Sequence, residues 1–465
     1  MWYRQIEWLD AIEAAERLAG MPGLCVLDSA MSHPDLGRYS YVAADPFGIF
    51  TVCDGVAHWN EEAHPGAPLE VLAKRMAQYR TETIENLPPF QGGAIGAISY
   101  DFGWHLDAGP SSPISHSAGQ TVYLAFHDVV LALDHVEQRC FLVASGYPAA
   151  SPGRRRVRAE ERLAAFEREL KKICPRFPVR YSGANSWTSD FTLESYSAAV
   201  ERVRNYIRAG DVYQVNISQR FSVSLAQDFD AWQLYKRLRV MNPAPFAAYL
   251  RLGSQTILSS SPERFLRTQG RGVEMRPIKG TAPRAADQTQ DRASARALLA
   301  SRKDRAENIM IVDLLRSDLA RVSEPASVEV PVLCGLETYE GVHHLVSVVT
   351  GSLAERYSAL DVLAATFPGG SITGAPKIRA MEIIAEIEGK PRGIYCGAIG
   401  TMSFDGAIDL SIAIRTILIE DGQAVLQAGG GITILSDPAR EYEETLTKVQ
   451  RIFDAFAAHK IDTVG

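Results

Sequence analysis

Gly397-Ala398-Ile399-Gly400-Thr401-Met402-Ser403-Phe404-Asp405-Gly406 opens the stretch whose reading decides the fold. Apolar and β-branched residues run from Gly397 to Phe404, from Ile408 to Ile419 and from Ala424 to Ala428, with Asp405-Gly406 and Asp421-Gly422 between the runs. Asp-Gly pairs suit tight hairpins, because the central residues need positive φ, which glycine accepts freely and aspartate tolerates. The stretch predicts an antiparallel meander. Asp437-Pro438 then predicts a helix start, with aspartate as N-cap and proline in the first helical position. Tyr442, Leu446, Val449, Phe453 and Phe456 follow at alternating spacings of four and three, which makes one apolar stripe.

Upstream the same alternation of elements continues. A helix is expected over Leu193 to Ala209, strands over Val212 to Val223, Phe246 to Leu252 and Gln255 to Ser259, and largely helix over Ser294 to Val322. Residues from 189 to 460 thus read as one large α/β unit. The first 150 residues read as a second mixed unit, with strands at Arg38 to Ala44, Ile49 to Val52, Gly92 to Tyr100, Val122 to Leu133 and Cys140 to Val143, and a hairpin turn at Asp54-Gly55. Between them, residues 151–188 form a linker with a charged helix at Arg154 to Lys172 and a loop through Pro175 and Pro178. The Arg154-Arg155-Arg156 run is soon followed by Glu160 and Glu161, as on a solvated helix face.

Bulk properties narrow the functional classes. The chain has 465 residues, 46% hydrophobic and 22% charged, enough to build an ordinary core. A net charge of -7 argues against a nucleic-acid or anionic-membrane partner. The six cysteines, Cys25, Cys53, Cys140, Cys174, Cys334 and Cys396, are scattered without zinc-ligand spacing. With no signal-peptide pattern at Met1 to Glu7 and no apolar run of ~18 residues, a soluble, reducing, cytoplasmic setting is expected.

Several constellations could carry chemistry. Glu441 and Glu444 stand one helical turn apart, as do Asp304 and Glu307. Paired acids can hold Mg²⁺ together with waters and substrate oxygens. The plainer account, that first-turn acids complement a helix dipole, is favoured by spacing alone. Gly429-Gly430-Gly431 and the loop Gly369 to Lys377 could offer backbone N–H groups to an anion, although each is more often a turn. Lys279 sits in Pro277-Ile278-Lys279-Gly280-Thr281 among small and apolar neighbours, and Glu263 ends a predicted strand in Ser261-Pro262-Glu263. Alone, the first reads as a surface cation and the second as an acid paired with Arg264.

In their order along the chain, these segments resemble the chorismate-utilising enzymes, the family of anthranilate, aminodeoxychorismate, isochorismate and salicylate synthases. The matching stretches are Ser261-Pro262-Glu263, Pro277 to Thr281, Glu307 to Leu314, His344 to Ser347, Phe367 to Lys377, Arg392 to Gly397, Ile412 to Thr416 and Ala428 to Thr445. The resemblance implies two large, mainly antiparallel sheets packed as a sandwich with helices outside. It implies Mg²⁺ held by Glu307 and Glu444 with Glu441 nearby, and a chorismate pocket formed by Gly280, Thr281, Lys377, Tyr395, Arg415, Gly429, Gly430 and Gly431. Arg415 suits a carboxylate because its planar fork grips both oxygens, and His344 matches a histidine near the departing ring substituent.

Two positions separate the branches by resemblance. Water-using members carry a lysine where this chain has Gln214, and an amide cannot act as a base near neutral pH, so ammonia is the expected nucleophile. Lys279 matches the branch that forms 4-amino-4-deoxychorismate through a covalent lysine adduct, where anthranilate synthases usually carry alanine. Lys279 and Glu263 are then catalytic, and their pKa values are expected to be pushed towards each other, since a lysine at ~10.4 is almost wholly protonated at pH 7. The chain lacks a glutaminase nucleophile elbow, so the resemblance implies a glutaminase partner subunit and a role towards 4-aminobenzoate and folate. The first 150 residues resemble the N-terminal part of the same branch, which implies a tryptophan pocket at Ser29, Arg38, Tyr39, Pro245 and Phe246. An anthranilate synthase subunit is the alternative enzyme, and an inactive tryptophan-binding scaffold the alternative of another class.

Overall fold

The computed structural model describes residues 1–31, 36–106, 119–172, 186–339 and 341–457. Two 12-stranded antiparallel sheets make the framework. The first runs from Trp2–Ile6 through Arg139–Ala144, Val129–Asp134, Tyr39–Ala43 and Cys25–Asp28 to Phe246–Leu252, Gln255–Ser261, Thr416–Glu420, Gln423–Ile432 and Gln214–Ser224. The second runs from Ile278–Pro283 through Val342–Ser352, Gly272–Met275, Arg264–Gln269, Ile408–Ile412, Ala398–Ser403, Gly93–Ile98 and Gln120–His127 to Gly48–Cys53 and its hairpin partners.

Small and medium apolar residues of both sheets meet face to face, among them Ala43, Val130 and Ala248 from the first and Ile95, Ala97 and Ile399 from the second. Helices cover the outer faces. Ala11–Leu18, Pro152–Leu170, Ala231–Met241 and Pro438–Phe456 pack on the first sheet. Pro68–Gln78, Arg302–Ala320 and Ala359–Thr366 pack on the second. The sandwich with outer helices is therefore the fold. Among the described residues no helix is long and apolar enough to cross a membrane, and Cys25, Cys53, Cys140, Cys334 and Cys396 are free thiols. Cys174 and most of the loop through Pro175 and Pro178 lie outside the described residues.

Residues 1–150 do not own a sheet. Cys25–Asp28 pairs with Phe246–Leu252 in one sheet and Gly93–Ile98 pairs with Ala398–Ser403 in the other. The linker helix, Pro152–Leu170, lies on the strands that precede it, near Trp2–Ile6 and Arg139–Ala144.

The chain repeatedly leaves one sheet for the other, and here the sequence reading needs correction. Val122 to Leu133 is two strands, Gln120–His127 in the second sheet and Val129–Asp134 in the first. Ile408 to Ile419 is likewise Ile408–Ile412 in the second sheet and Thr416–Glu420 in the first, with Arg415 at φ 50° between them. His127-Asp128 and Arg415 interrupt the two runs at the switches, but strand-forming residues resume at once on the far side, so periodicity alone does not mark a change of sheet. Ser294 to Val322 is also divided, because Ser301 accepts a hydrogen bond from Asp304 N (3.3 Å) and caps a new helix at Arg302.

A buried ion pair ties the framework together. Arg392 is 2% exposed. Its Nε and Nη2 donate to the two carboxylate oxygens of Glu388 at 2.9 and 2.7 Å, Nη2 also donates to Asn216 O at 2.8 Å, and Nη1 to Ile372 O at 3.1 Å. Glu388 Oε1 accepts from Ser218 N and Oγ, both at 2.8 Å. Asp101, from the first third of the chain, accepts from Gly393 N at 2.7 Å. Replacing one partner leaves the other charge buried and unpaired, at a cost of about 3–5 kcal/mol. Arg392→Met is therefore expected to lower unfolding free energy by about that amount in urea denaturation. A loss below about 1 kcal/mol would show that the pair does not hold these segments.

Candidate active site

The site forms where strands cross between the sheets and where one strand bulges. Ile278–Pro283 pairs with Val342–Ser352, but the register shifts between Ile278, opposite Val346, and Thr281, opposite His344. Lys279 and Gly280 together stand opposite the single residue Leu345, so this strand carries one extra residue. Gly280 has φ 84°, and a Cβ on it would stand 2.8 Å from the Cβ of Asp304, so both conformation and space call for glycine. A bulge of this kind re-aims a side chain. Here it turns Lys279 towards Gly431 and Gln214: a Cβ on Gly431 would lie 3.5 Å from Lys279 Nζ and 1.9 Å from Gln214 Nε2. Gln214 is buried, and its Oε1 accepts no hydrogen bond.

Glu263 occupies the crossover from Gln255–Ser261, in the first sheet, to Arg264–Gln269, in the second. It is 5% exposed, with Oε1 accepting from Ser371 Oγ at 2.6 Å and from Ile278 N at 3.4 Å. It makes no pair with Arg264, whose guanidinium binds Asp409 and Glu274. Burial raises the Glu263 carboxyl above its ordinary range, against the Ser371 hydrogen bond and the Lys279 charge. Burial lowers Lys279, against the pull of Glu307 and Glu263. The two groups move towards each other, as the chemistry requires.

Arg415 sits at the reverse crossover, where its left-handed φ carries the chain from Ile408–Ile412 to Thr416–Glu420. Its backbone O accepts from Ser260 N at 3.1 Å. His344 is 2% exposed and shares a 2.9 Å hydrogen bond between Nδ1 and Thr281 Oγ1. Burial, then Arg415, push its pKa down to about 3, so the ring is neutral. Tyr395 is buried beneath the site, with the Arg392 guanidinium 5.6 Å from its ring centre.

The carboxylates gather on the opposite side. Glu441 is buried, and its Oε2 lies 2.9 Å from the Cβ position of Gly430, with Glu444 Oε1 3.7 Å from the same point. Glycine there leaves room beside both acids. Glu307 comes from the second turn of Arg302–Ala320, and its Oε1 is buried without a hydrogen bond. Lys303 reaches between the acids, 3.4 Å from Glu441 Oε1 and 3.9 Å from Glu307 Oε1. Lys448 bridges Glu444 Oε1 at 2.5 Å and Gly429 O at 2.9 Å. Among the described residues no three His, Cys, Asp or Glu side chains are already gathered to hold a metal unaided. The donor set still suits Mg²⁺, which takes one or two carboxylates plus water and substrate oxygens, and the orphaned Glu307 oxygen is such a donor.

Lys377 is not part of this group. Its ammonium donates to Asp318 Oδ2 and Thr366 O, both at 2.7 Å, in a separate cleft lined by Leu314, Arg321 and Tyr357. The resemblance implies a place for Lys377 in the chorismate pocket; an acid on the neighbouring helix captures it instead. At the other candidate pocket, Ser29 Oγ donates to Tyr39 O at 2.6 Å, Phe246 packs with Met31 and Leu36, Pro245 is buried, and Arg38 turns outward to Asp134 at 2.7 Å. Residue reading did not single out the Asp28 carboxylate there, which accepts from Arg239 Nε at 2.6 Å and Tyr235 OH at 3.2 Å. It also missed Ser371 as the holder of Glu263, and Lys448; the Lys303–Glu307 spacing of four was the one readable signal.

With this geometry in place, relatives are informative. The chain belongs to the chorismate binding enzyme family, whose pattern matches residues 37–454. It is 44% identical to aminodeoxychorismate synthase component 1 of Salmonella typhimurium over 78% of this chain and 76% of that one. It is 39% identical to the Escherichia coli protein of the same name over 94% of each, and 40% identical to anthranilate synthase component 1 of Thermus thermophilus over 90% and 89%. Among solved structures, anthranilate synthase component I from Streptococcus pneumoniae aligns with a TM-score of 0.79 and 32% identity over 91% of this chain and 93% of that one. The menaquinone-specific isochorismate synthase of Escherichia coli shares the fold, with a TM-score of 0.75 at 18% identity over 98% and 94%.

Gly431→Ala tests the close contact of the Gln214 amide with Gly431, beside Lys279. Its methyl would drive into the Gln214 amide, 1.9 Å away, so chorismate turnover is expected to fall by about 100-fold or more for a displacement of about 1 Å, with the circular dichroism spectrum unchanged. Turnover within about threefold of the parent would mean that this contact does not shape the site.

Proposed function

We propose that this chain converts chorismate and ammonia to 4-amino-4-deoxychorismate, with Lys279 as covalent nucleophile. The observation that carries the reading is the bulged Lys279, partly buried and facing Gln214 and Gly431, with Glu263 held by Ser371 at hydrogen-bonding distance. Relatives of the same name at about 40% identity over most of their length support it.

The chemistry has two halves. Neutral Lys279 Nζ attacks ring carbon C2, the ring double bonds shift, and the C4–O bond breaks as Glu263 gives its proton to the departing hydroxyl, which leaves as water. Ammonia then attacks C4, the double bonds shift back, and the C2–N bond breaks. Glu263, now a carboxylate, takes a proton from the added nitrogen, and Lys279 is released. Nitrogen ends on the carbon that carried oxygen, which direct attack at C2 would not achieve. Gln214, lacking a basic side chain, leaves water unactivated. Arg415 grips a substrate carboxylate, Gly280, Thr281 and Gly429 to Gly431 present small residues and backbone around the ring, and His344, neutral, is a hydrogen-bond partner rather than a charge.

Glu307 and Glu444, with Glu441 beside them, would hold Mg²⁺, which when bound neutralises a substrate carboxylate and the charge that develops as the ring rearranges. Ammonia would be delivered by a glutaminase subunit, in keeping with the component 1 names of the relatives; the product would serve 4-aminobenzoate and folate formation in a cytoplasmic setting. The pocket of Ser29, Tyr39, Pro245 and Phe246, bounded by Arg38, would take tryptophan.

Intact-protein mass spectrometry with chorismate and Mg²⁺ but no ammonia gives the first test. A gain of chorismate less one water is expected on the parent and none on Lys279→Ala; an unmodified parent chain sinks the covalent step. The rate of adduct formation should be bell-shaped in pH. It rises as Lys279 loses its proton, below the ordinary 10.5, and falls as Glu263 loses its proton, above the ordinary 4.5. Both limbs therefore lie inside that window. With ammonium added, the product should keep its pyruvyl ether. Fluorescent anthranilate and free pyruvate would instead assign the chain to the anthranilate branch.

A further inference from the structure

Lys303 is an awkward residue where it stands. It lies in the first turn of Arg302–Ala320, where the helix dipole and the unpaired N–H groups disfavour a cation. Its side chain is 43% exposed and free to extend into water, yet it folds back between two acids. One of these, Glu441, is 4% exposed, and the other, Glu307, carries a buried oxygen without a hydrogen bond. Lys448 meanwhile occupies Glu444. Each carboxylate of the group thus has an ammonium at hand, and the one nearest both Glu307 and Glu441 comes from a mobile-length side chain at the rim.

We propose that Lys303 is a built-in competitor for the divalent cation: its ammonium takes the place between Glu307 and Glu441, and metal binding requires it to swing out. The inference rests on the proposed Mg²⁺ role of these acids. Three buried or half-buried carboxylates facing one another repel, and an internal cation relieves that repulsion without a metal. Because Lys303 is long and exposed, its withdrawal meets no packing barrier. The consequence is a weakened affinity for metal alone. A substrate carboxylate that adds oxygen ligands would then shift the balance towards metal, so cation and substrate bind best together. Lys303 is a positioning residue in this scheme and touches no reacting atom.

The test measures Mn²⁺ binding to the full chain by the electron paramagnetic resonance signal of the free ion, with no chorismate present. Lys303→Gln keeps much of the reach and loses the charge, and should bind Mn²⁺ about five- to thirtyfold more tightly. Lys303→Arg should stay within about threefold of the parent. Arg302→Gln removes an exposed charge next door on the same helix, and should change affinity by less than about twofold. Equal affinity in the parent and Lys303→Gln overturns the competition and leaves the metal reading standing. Equal tightening by Lys303→Gln and Arg302→Gln also overturns it, since overall charge then suffices. Absence of Mn²⁺ binding in every variant, with chorismate present as well as without it, at concentrations that support turnover, would sink the metal reading itself. Tighter binding in Lys303→Gln together with a lost Mn²⁺ requirement for chorismate, seen as equal Mn²⁺ affinity with and without it, supports the full scheme.

Discussion

The buried Arg392–Glu388 pair is the constraint that the rest of the site depends on. One guanidinium binds the Glu388 fork, Asn216 O and Ile372 O, and its own backbone O accepts from Gln427 Nε2 at 2.7 Å. Three of these partners lie within a few residues of a group in the candidate site. Asn216 is two residues from Gln214, Ile372 follows Ser371, and Gln427 precedes Gly429 to Gly431 on its strand. A neutral core could pack these segments, but packing is non-directional, whereas five donors in a fixed fork set their relative positions. Asp101 extends the same network to the first third of the chain through Gly393 N.

Much of the framework was legible because hairpins announce themselves. Asp54-Gly55, Asp405-Gly406 and Asp421-Gly422 all mark turns, and in each the glycine has positive φ. The helices at Leu193–Ala209 and Pro438–Phe456 begin at the caps that their sequences provide, Thr192 and Asp437. The sheet switches were not legible. At Asp128 and at Ala413 to Arg415 the chain passes from one sheet of the sandwich to the other with strand-forming residues on either side. Alternation reports which side of a strand is buried, and a strand buried on both sides carries no such signal. The same limit explains why a boundary in composition near residue 150 does not correspond to a boundary between sheets.

The site divides along a similar line. Lys279, Glu263, Arg415 and the acids were recognisable from motifs in order, and the structure sets Lys279 beside Gly431, Glu441 and Glu444 beside Gly430, and Glu263 within electrostatic reach of Lys279 and Arg415. What the motifs could not convey is which neighbour each charge has chosen. Lys377 stands in one of the most distinctive segments, yet Asp318 draws it into another cleft. Ser371, one hydroxyl within a glycine-rich loop, fixes the Glu263 carboxylate. Long-range partners of this sort are set by crossovers and by helix placement, neither of which has a local pattern.

A lysine nucleophile and a carboxylic acid must both be neutral at the moment of attack, and side by side in water they would exchange a proton and stay charged. Proximity alone therefore works against this chemistry, because each charged form stabilises the other. Burial is the counterweight, since it penalises both charges at once. The structure separates the two influences: Glu263 is anchored from the Ser371 side, Lys279 is displaced by the bulge towards Gly431, and no hydrogen bond joins them among the described residues. Desolvation acts on the two groups in opposite directions, lowering Lys279 and raising Glu263, and it outweighs the attraction between them. The crossover that buries Glu263 and the bulge that re-aims Lys279 are thus features of backbone topology with a chemical consequence, and the Arg392 network is tied, through Ile372, to the loop from which Ser371 holds Glu263.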